Sequence, residues 1–492
     1  MGARCIAACD GSVVMAGAHV CGPPRGSRLR RASCHHERFR DARTVQVRDL
    51  IGMRAARVFV SVVGIIVTLA CPAIAAPAAP TLELAVSPGF SPNGDGRVDV
   101  ATISVSTGGP ADVSILVARL DGRTVRTLAE ADPVDGDATY TWRGRSDAGT
   151  RVADDRYRVI ATARDADGEV RQHAPVVVDT TPPAFTWKGI APEPLLTTGS
   201  VRFTFTTSDR FSGRVAVAYA VSDAEGRLVE RVRAGKHAAG ERTVSWDARA
   251  PGSHAIWTGL YRVAVRVTDE LGNDRTGPLR PFRDHRPVKS RVIRRVEGAG
   301  RRVALTFDDC TYGDSWKRIL GALHASDAQA TFFCAGSMVP AHALLARRTV
   351  ALGNAIGSHT WNHGSLIGAS EATVRSQVRR DQAAWWTRAR STPAPFFRPP
   401  NGEIGATTLA GVGGEGFRWV VLWDVDPRDW SGISAGEITR RVLSSVRPGS
   451  IVVMHVKYRT AAAVAGILRG LRARNLEPVS LPVLLRAGGL TR

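Results

Sequence analysis

Two adjacent carboxylates, Asp308-Asp309, close the apolar run Val303-Ala304-Leu305-Thr306-Phe307, and His359-Thr360-Trp361-Asn362-His363 follows Ala355-Ile356-Gly357-Ser358. Two carboxylates and two imidazoles suffice for a metal and a base. Histidines four apart sit one helical turn from each other, or on one side of a tight loop, so both rings can reach one cation. A third protein ligand leaves a coordination position for water, the arrangement of a catalytic zinc site. One Asp of the pair can be that ligand, and the other then stands where a general base must be. Taken singly, an HxxxH or an Asp pair is weak; what decides its meaning is the company it keeps.

That company depends on the elements that hold these residues. From about Arg301, apolar runs of strand length alternate with helical stretches. The helices are expected at Ser315 to Ala325, Pro340 to Leu352, Ser370 to Ala389, Ala435 to Val446 and Thr460 to Arg474, with Ser370 and Thr460 as caps. Strand, helix, strand in this order gives parallel strands with right-handed crossovers, and about seven units in under 200 residues predict a distorted, TIM-like β/α barrel. Asp308-Asp309, His359, Arg398, Asp424-Val425-Asp426 and His455 each fall at the C-terminal end of an apolar run. In a parallel barrel those ends share one rim, where sites are built, and scattered surface charges would show no such phase.

Residues 81 to 285 have a different texture, with short alternating runs parted by Gly, Asp and Pro, which predicts antiparallel β-sandwiches. They repeat. Asp121-Gly122-Arg123, Tyr140-Thr141-Trp142, Tyr157-Arg158-Val159 and Asp165 to Gly168 recur as Glu225-Gly226-Arg227, Val244-Ser245-Trp246, Tyr261-Arg262-Val263 and Asp269 to Asn273. Asp179-Thr180-Thr181-Pro182-Pro183 separates the copies. They resemble the Ig-like modules of bacterial extracellular proteins and flagellar hook-capping proteins. Asn93, Asp95 and Asp99 set oxygen side chains around glycines, a spacing that suits a calcium ion and equally suits plain turns. The organisation expected is therefore multidomain: an extension over 1–52, a signal peptide over 53–76, all-β Ig-like sandwich modules over 81–181 and 182–285, a linker over 286–299 and the barrel over 300–486.

The net charge of +21 is spread along the chain and comes mostly from Arg, which argues against a nucleic-acid stripe and fits attraction to anionic cell-wall polymers. Met53 to Arg57 reads as a basic n-region, Val58 to Ala70 as an apolar core and Ala73-Ile74-Ala75 as a cleavage site, so a secreted or wall-associated protein without a stable membrane span is expected. Lipoprotein processing at Cys71 is the alternative. Five of seven Cys precede the mature chain, leaving Cys310 and Cys334 at two strand ends, either bridged or as separate buried thiols.

In family order, Thr306-Phe307-Asp308-Asp309, His359 to His363, Arg398-Pro399-Pro400-Asn401-Gly402, Asp426-Pro427-Arg428-Asp429-Trp430 and Val453-Met454-His455 resemble the motifs of the polysaccharide deacetylase family, the NodB-homology domain of carbohydrate esterase family 4. The resemblance implies that Asp308 is the catalytic base. Asp309, His359 and His363 would hold one divalent ion, zinc first, with cobalt, nickel or manganese behind it. Arg398 would steady Asp308, and the Asn401 N–H after Pro400 would hold the oxyanion. Asp426 would tune His455, the general acid, and Trp430 and Val453 would line the pocket. The substrate implied is an acetylated polysaccharide. Two positions depart from the pattern: Cys310 stands for the usual Gly, which fits a disulfide to Cys334, and Asn401 for the usual Tyr. A catalytically inactive glycan-binding protein is the competing reading, and the filled ligand set argues against it. No nucleophile elbow supports a serine esterase.

Overall fold

The computed structural model describes residues 80–250 and 254–490. The signal-like segment, the extension before it and Cys71 lie outside those residues. Among the described residues, no helix is long and apolar enough to cross a membrane.

Both repeats fold as two-sheet sandwiches. The first packs a sheet of Leu82–Val86, Ala101–Thr107 and Asp137–Trp142 on a five-stranded sheet centred on Asp155–Arg164 and Ala111–Arg119. The second packs Gly240–Trp246, Val201–Ser208 and Ala184–Ala191 on a sheet built around Gly259–Thr268. Alternation in these strands is the cause: in Ala101–Thr107 the odd positions are buried and the even ones mostly exposed, so one face must find a partner sheet. The sequence repeat returns atom for atom. Trp142 Nε1 donates to the Arg145 carbonyl and Trp246 Nε1 to the Arg249 carbonyl, at 2.9 and 3.2 Å. Tyr157 and Tyr261 each donate to the carbonyl four residues back, Ala153 and Trp257. The rings of each Trp-Tyr pair lie 5.3 and 5.7 Å apart.

The third unit is a curled parallel sheet of eight strands. Its spatial order is Arg291–Ile293, Trp419–Val421, Phe396–Phe397, Ala355–Ser358, Thr331–Cys334, Arg302–Asp309 and Ile451–His455, with Glu477–Val479 also on Arg302–Asp309. The curl is drawn together past Trp419–Val421: Val425 bridges Val452, and Val453 N donates to Val425 O at 3.0 Å. Asp424 fastens the join, accepting from Ile451 N at 2.8 Å and Ser450 Oγ at 2.9 Å. Alternation sorts the core into two. Ala304, Phe333, Phe396, Trp419, Val421 and Ile451 fill the barrel interior, while Val303, Leu305, Phe307, Phe332 and Val452 face the surrounding helices.

Two expectations change here. The stretch read as a linker supplies a strand, because Arg291–Ile293 pairs in parallel with Trp419–Val421. Ser370 caps Glu371–Ala389 as expected, through Oγ and Thr373 N, but Thr460 lies inside the helix Tyr458–Ala473. The second Ig-like module seats on the N-terminal ends of the barrel strands. Trp257 packs edge-on against Phe396 and Trp419, each the first residue of its strand. Around it His285 Nε2 meets Thr392 Oγ1 at 2.8 Å and Arg486 pairs with Glu225 at 2.9 Å. A cavity of about 930 Å³ lies in this seam.

Candidate active site

The parallel register sets the rim. Asp308 pairs with His455, Asp309 with Cys334, Cys334 with Ser358 and Ser358 with Phe397, so His359 and Arg398 follow at one level. A regular strand would send Asp308 and Asp309 to opposite faces. Asp309 instead has φ 71°, in the left-handed region, and both carboxylates reach one imidazole: His359 Nε2 lies 3.9 Å from Asp308 Oδ2 and 3.7 Å from Asp309 Oδ1. Asp309, Cys310, Thr360, His363, Asn401 and Arg428 make six of the twelve described non-glycine residues with positive φ, so costly backbone is concentrated at this rim.

Asp309, His359 and His363 bring one ligand atom each to within 4.8 Å of one another. His363 Nε2 stands 3.2 Å from Asp309 Oδ1, yet among the described residues that buried oxygen has no partner in hydrogen-bonding geometry. An orphaned carboxylate oxygen facing two imidazole nitrogens fits a divalent cation. His359 is oriented for it, since Nδ1 lies 2.8 Å from the Arg398 carbonyl, which places the proton there and leaves the Nε2 lone pair toward Asp309. Burial lowers the His359 pKa and keeps the ring neutral, as a ligand must be. Burial works against charge on Asp309, yet it is held at about 2, first by His363 and then by the positive charge of His455.

Arg398 is fully buried and every arm is occupied. Nη1 donates to Asp308 Oδ1 at 2.6 Å and Thr306 Oγ1 at 2.8 Å, Nε to Val421 O at 3.0 Å, and the guanidinium lies 4.3 Å from the Phe333 ring centre. Asp308 is thereby fixed through Oδ1, and Oδ2 is turned to the metal-ligand side.

The partner of His455 corrects the sequence reading. Asp426 is exposed and its Oδ1 accepts from Arg428 N, because the chain turns through a left-handed Arg428 before Asp429. Asp429, 3 % exposed, takes the place expected for Asp426. Its Oδ1 lies 2.8 Å from His455 Nδ1, and its Oδ2 accepts from His455 N at 2.7 Å and Thr460 Oγ1 at 2.5 Å. Burial opposes charge on His455, but the Asp429 hydrogen bond and the charges of Asp308, Asp429 and Asp309 raise it to about 9.

Pro400 is buried and Asn401, φ 59°, is exposed in the turn after Arg398. Val453 is 2 % exposed and pairs with Thr306. Trp430 is 56 % exposed, whereas Trp423, not anticipated, lies 5.6 Å from the Arg398 guanidinium and against Gly402. Cys310 and Cys334 form a disulfide beside Asp309. Asn93, Asp95 and Asp99 serve local turns: Asp99 accepts from Gly94 N and Gly96 N, Asn93 Oδ1 from Asp95 N and Asp95 Oδ1 from Arg97 N. Asp429 lay within the Asp426-to-Trp430 motif and Thr460 was read only as a helix cap; the signal for Asp429 was its place next to Trp430, three residues before the left-handed Gly432, not spacing from His455.

Fold and site together define the class, a β/α-barrel protein of the carbohydrate esterase kind carrying Ig-like modules. The polysaccharide deacetylase family profile matches residues 295–420, and the FlgD Ig-like domain profile matches residues 194–270. A peptidoglycan-N-acetylglucosamine deacetylase of Bacillus cereus is 30% identical over 189 residues, covering 37% of this chain and 88% of that protein. The chain belongs to the polysaccharide deacetylase family. Peptidoglycan-N-acetylglucosamine deacetylase PgdA of Listeria monocytogenes is 32% identical over 185 residues, 37% of this chain, and the chain spans 39% of its length. The solved structure of the Bc1960 peptidoglycan N-acetylglucosamine deacetylase is 30% identical, with a TM-score of 0.38, covering 39% of this chain and 92% of that one.

Proposed function

We propose that the protein is an exported, metal-dependent deacetylase that hydrolyses acetyl groups on an acetylated cell-wall glycan, with peptidoglycan the first candidate. The observation that carries this reading is the joint placement of Asp309, His359 and His363 between a buried Asp308–Arg398 pair and a His455–Asp429 pair. Asp309, His359 and His363 would hold a divalent ion, zinc by the donor set, which would supply Lewis acidity toward an acetyl carbonyl and lower the pKa of water there. Asp308 Oδ2 accepts the proton of the attacking water while Arg398 holds Oδ1 and stops the carboxylate from turning away. The Asn401 N–H donates to the developing oxyanion, a contribution of about 3 kcal/mol for a well-placed donor. His455, charged against Asp429, releases a proton to the departing amine or alcohol. Atoms balance: the acyl bond breaks, water adds, and acetate and a deacetylated sugar result.

Relatives whose names specify peptidoglycan support the substrate, and the signal pattern over 53–76 supports export. The test is acetate release from N-acetylated peptidoglycan and chitooligosaccharides, with chelation and zinc readdition. Release that stops on chelation and returns with zinc supports the assignment. Absence of release from every acetylated glycan, with zinc bound, would favour the inactive glycan-binding alternative.

A further inference from the structure

The two Ig-like modules meet at a second group of carboxylates. Asp179 follows the strand Glu169–Val178 that ends the first module, Asp209 follows Val201–Ser208 and Asp269 follows Gly259–Thr268. One oxygen from each lies within 4.8 Å of the others. Their Oδ1 atoms serve local turns: Thr181 N donates to Asp179 at 3.0 Å, Phe211 and Ser212 N to Asp209 at 2.9 and 2.7 Å, Leu271 and Asn273 N to Asp269 at 2.9 and 2.8 Å. Such turns point to no ligand. Asp179 Oδ2 does: the residue is 1% exposed, and this buried oxygen has no donor among the described residues. A bare buried carboxylate oxygen beside two further carboxylates is costly unless a proton or a cation completes it, and the neighbouring carboxylates supply the donors a cation needs. Burial, opposed by the Thr181 amide and joined by the charges of Asp209, Asp269 and Asp154, pushes Asp179 up to about 6.

The repeat supplies an internal comparison. Asp284 closes the second module as Asp179 closes the first, and each accepts from the amide two residues on. In the second module that residue is Arg286, whose guanidinium meets Asp284 Oδ2 at 2.6 Å. In the first it is Thr181, whose hydroxyl goes to Asp154. The nearby Arg210 is turned to Asp155, and among the described residues no Lys or Arg pairs with Asp179, Asp209 or Asp269.

We propose that Asp179, Asp209 and Asp269 bind a calcium ion at the junction of the two modules. The donors are hard oxygens from three separate segments, with no nitrogen or sulfur, which suits calcium's loose, high-coordination shell better than magnesium's octahedron. Asn273 already bridges the same junction, donating to the Asp179 carbonyl at 2.9 Å and Asp269 Oδ2 at 2.8 Å while accepting from Ser91 Oγ at 2.6 Å. An ion there fixes the angle between modules.

Calcium is titrated calorimetrically into the zinc-loaded full chain, beside Asp179→Asn and Asp209→Asn. The expected result is one equivalent with Kd of ~10⁻⁴–10⁻³ M or tighter, the range of extracellular calcium modules, weakened at least ~10-fold in both variants. No binding within that range, equal binding of magnesium, or unchanged calcium binding in Asp209→Asn overturns the proposal. Melting in chelator is the second readout. Removing one of three like charges raises the Asp209→Asn melting temperature without calcium and abolishes the further rise that calcium gives the wild type. A variant that melts lower in chelator yet still responds to calcium overturns it equally.

Discussion

Asp308 and Asp309 are neighbours in the chain that face one site because a single backbone angle, φ 71° at Asp309, undoes the alternation of the strand. Their tasks separate by partner: Asp308 is bonded to Arg398, Asp309 faces His359 and His363. Asp308→Asn is therefore expected to cut acetate release by about 10²–10⁴-fold while zinc content, measured by mass spectrometry, is retained. His359→Ala should lose both. The Asp308–Arg398 pair is also buried, so Arg398→Ala should destabilise the barrel by about 3–5 kcal/mol in denaturant melts, because it strands a buried charge. For His455, proposed as the general acid, the sign is set by its raised pKa: an acid works protonated, so activity should fall as pH rises through about 9. Asp429→Asn removes the carboxylate charge that helps raise it, and should move the alkaline limb of kcat/KM to lower pH; in the metal-free chain the ring should cease to titrate near 9 by NMR. The exposed Asp426 should tolerate Asn with the limb unmoved.

At the level of elements, much was legible because phase is a property of spacing. Polar residues at the ends of apolar runs predicted a common rim, and the register Asp308 to His455 and Asp309 to Cys334 is that rim. What spacing could not carry is the path of irregular backbone. Asp426 and Asp429 differ only in which side of a left-handed Arg428 they fall, so His455 could not be given its partner from the motif alone. The helix Ala406–Gly413 was missed because its glycines, placed for close approach of Gly411 to Val374 and Gly413 to the Val288 carbonyl, erase helical periodicity. The edge strand Arg291–Ile293 is three residues long and basic-flanked, too short to show alternation. A chain beginning at Arg286 should accordingly melt higher than one beginning at Glu297, which lacks that strand. Cys310 occupies φ 59° where a glycine would rest without cost. Of two disulfide-free variants, Cys310→Gly with Cys334→Ala should be more stable than Cys310→Ala with Cys334→Ala by about 1 kcal/mol in chemical denaturation.

Across the whole molecule, the second Ig-like module and the rim lie at opposite ends of the barrel strands. The repeat was visible in the sequence as recurring Trp, Tyr and Asp-Gly positions; the docking face was not, because Trp257, Thr258 and His285 contact residues more than a hundred positions away. Trp257→Ala should speed proteolysis between the second module and the barrel while leaving kcat on a short soluble substrate unchanged, since Trp257 touches strand starts and not the rim. This arrangement also decides how mechanical load passes through the protein. Trp257, His285 and Glu225 contact the barrel away from the Asp309, His359 and His363 turns, so a load applied to the second module would meet the barrel at these contacts and at the chain leading into Arg291–Ile293. None of these contacts touches the triad's turns, so its spacing would be insulated from strain applied at the second module.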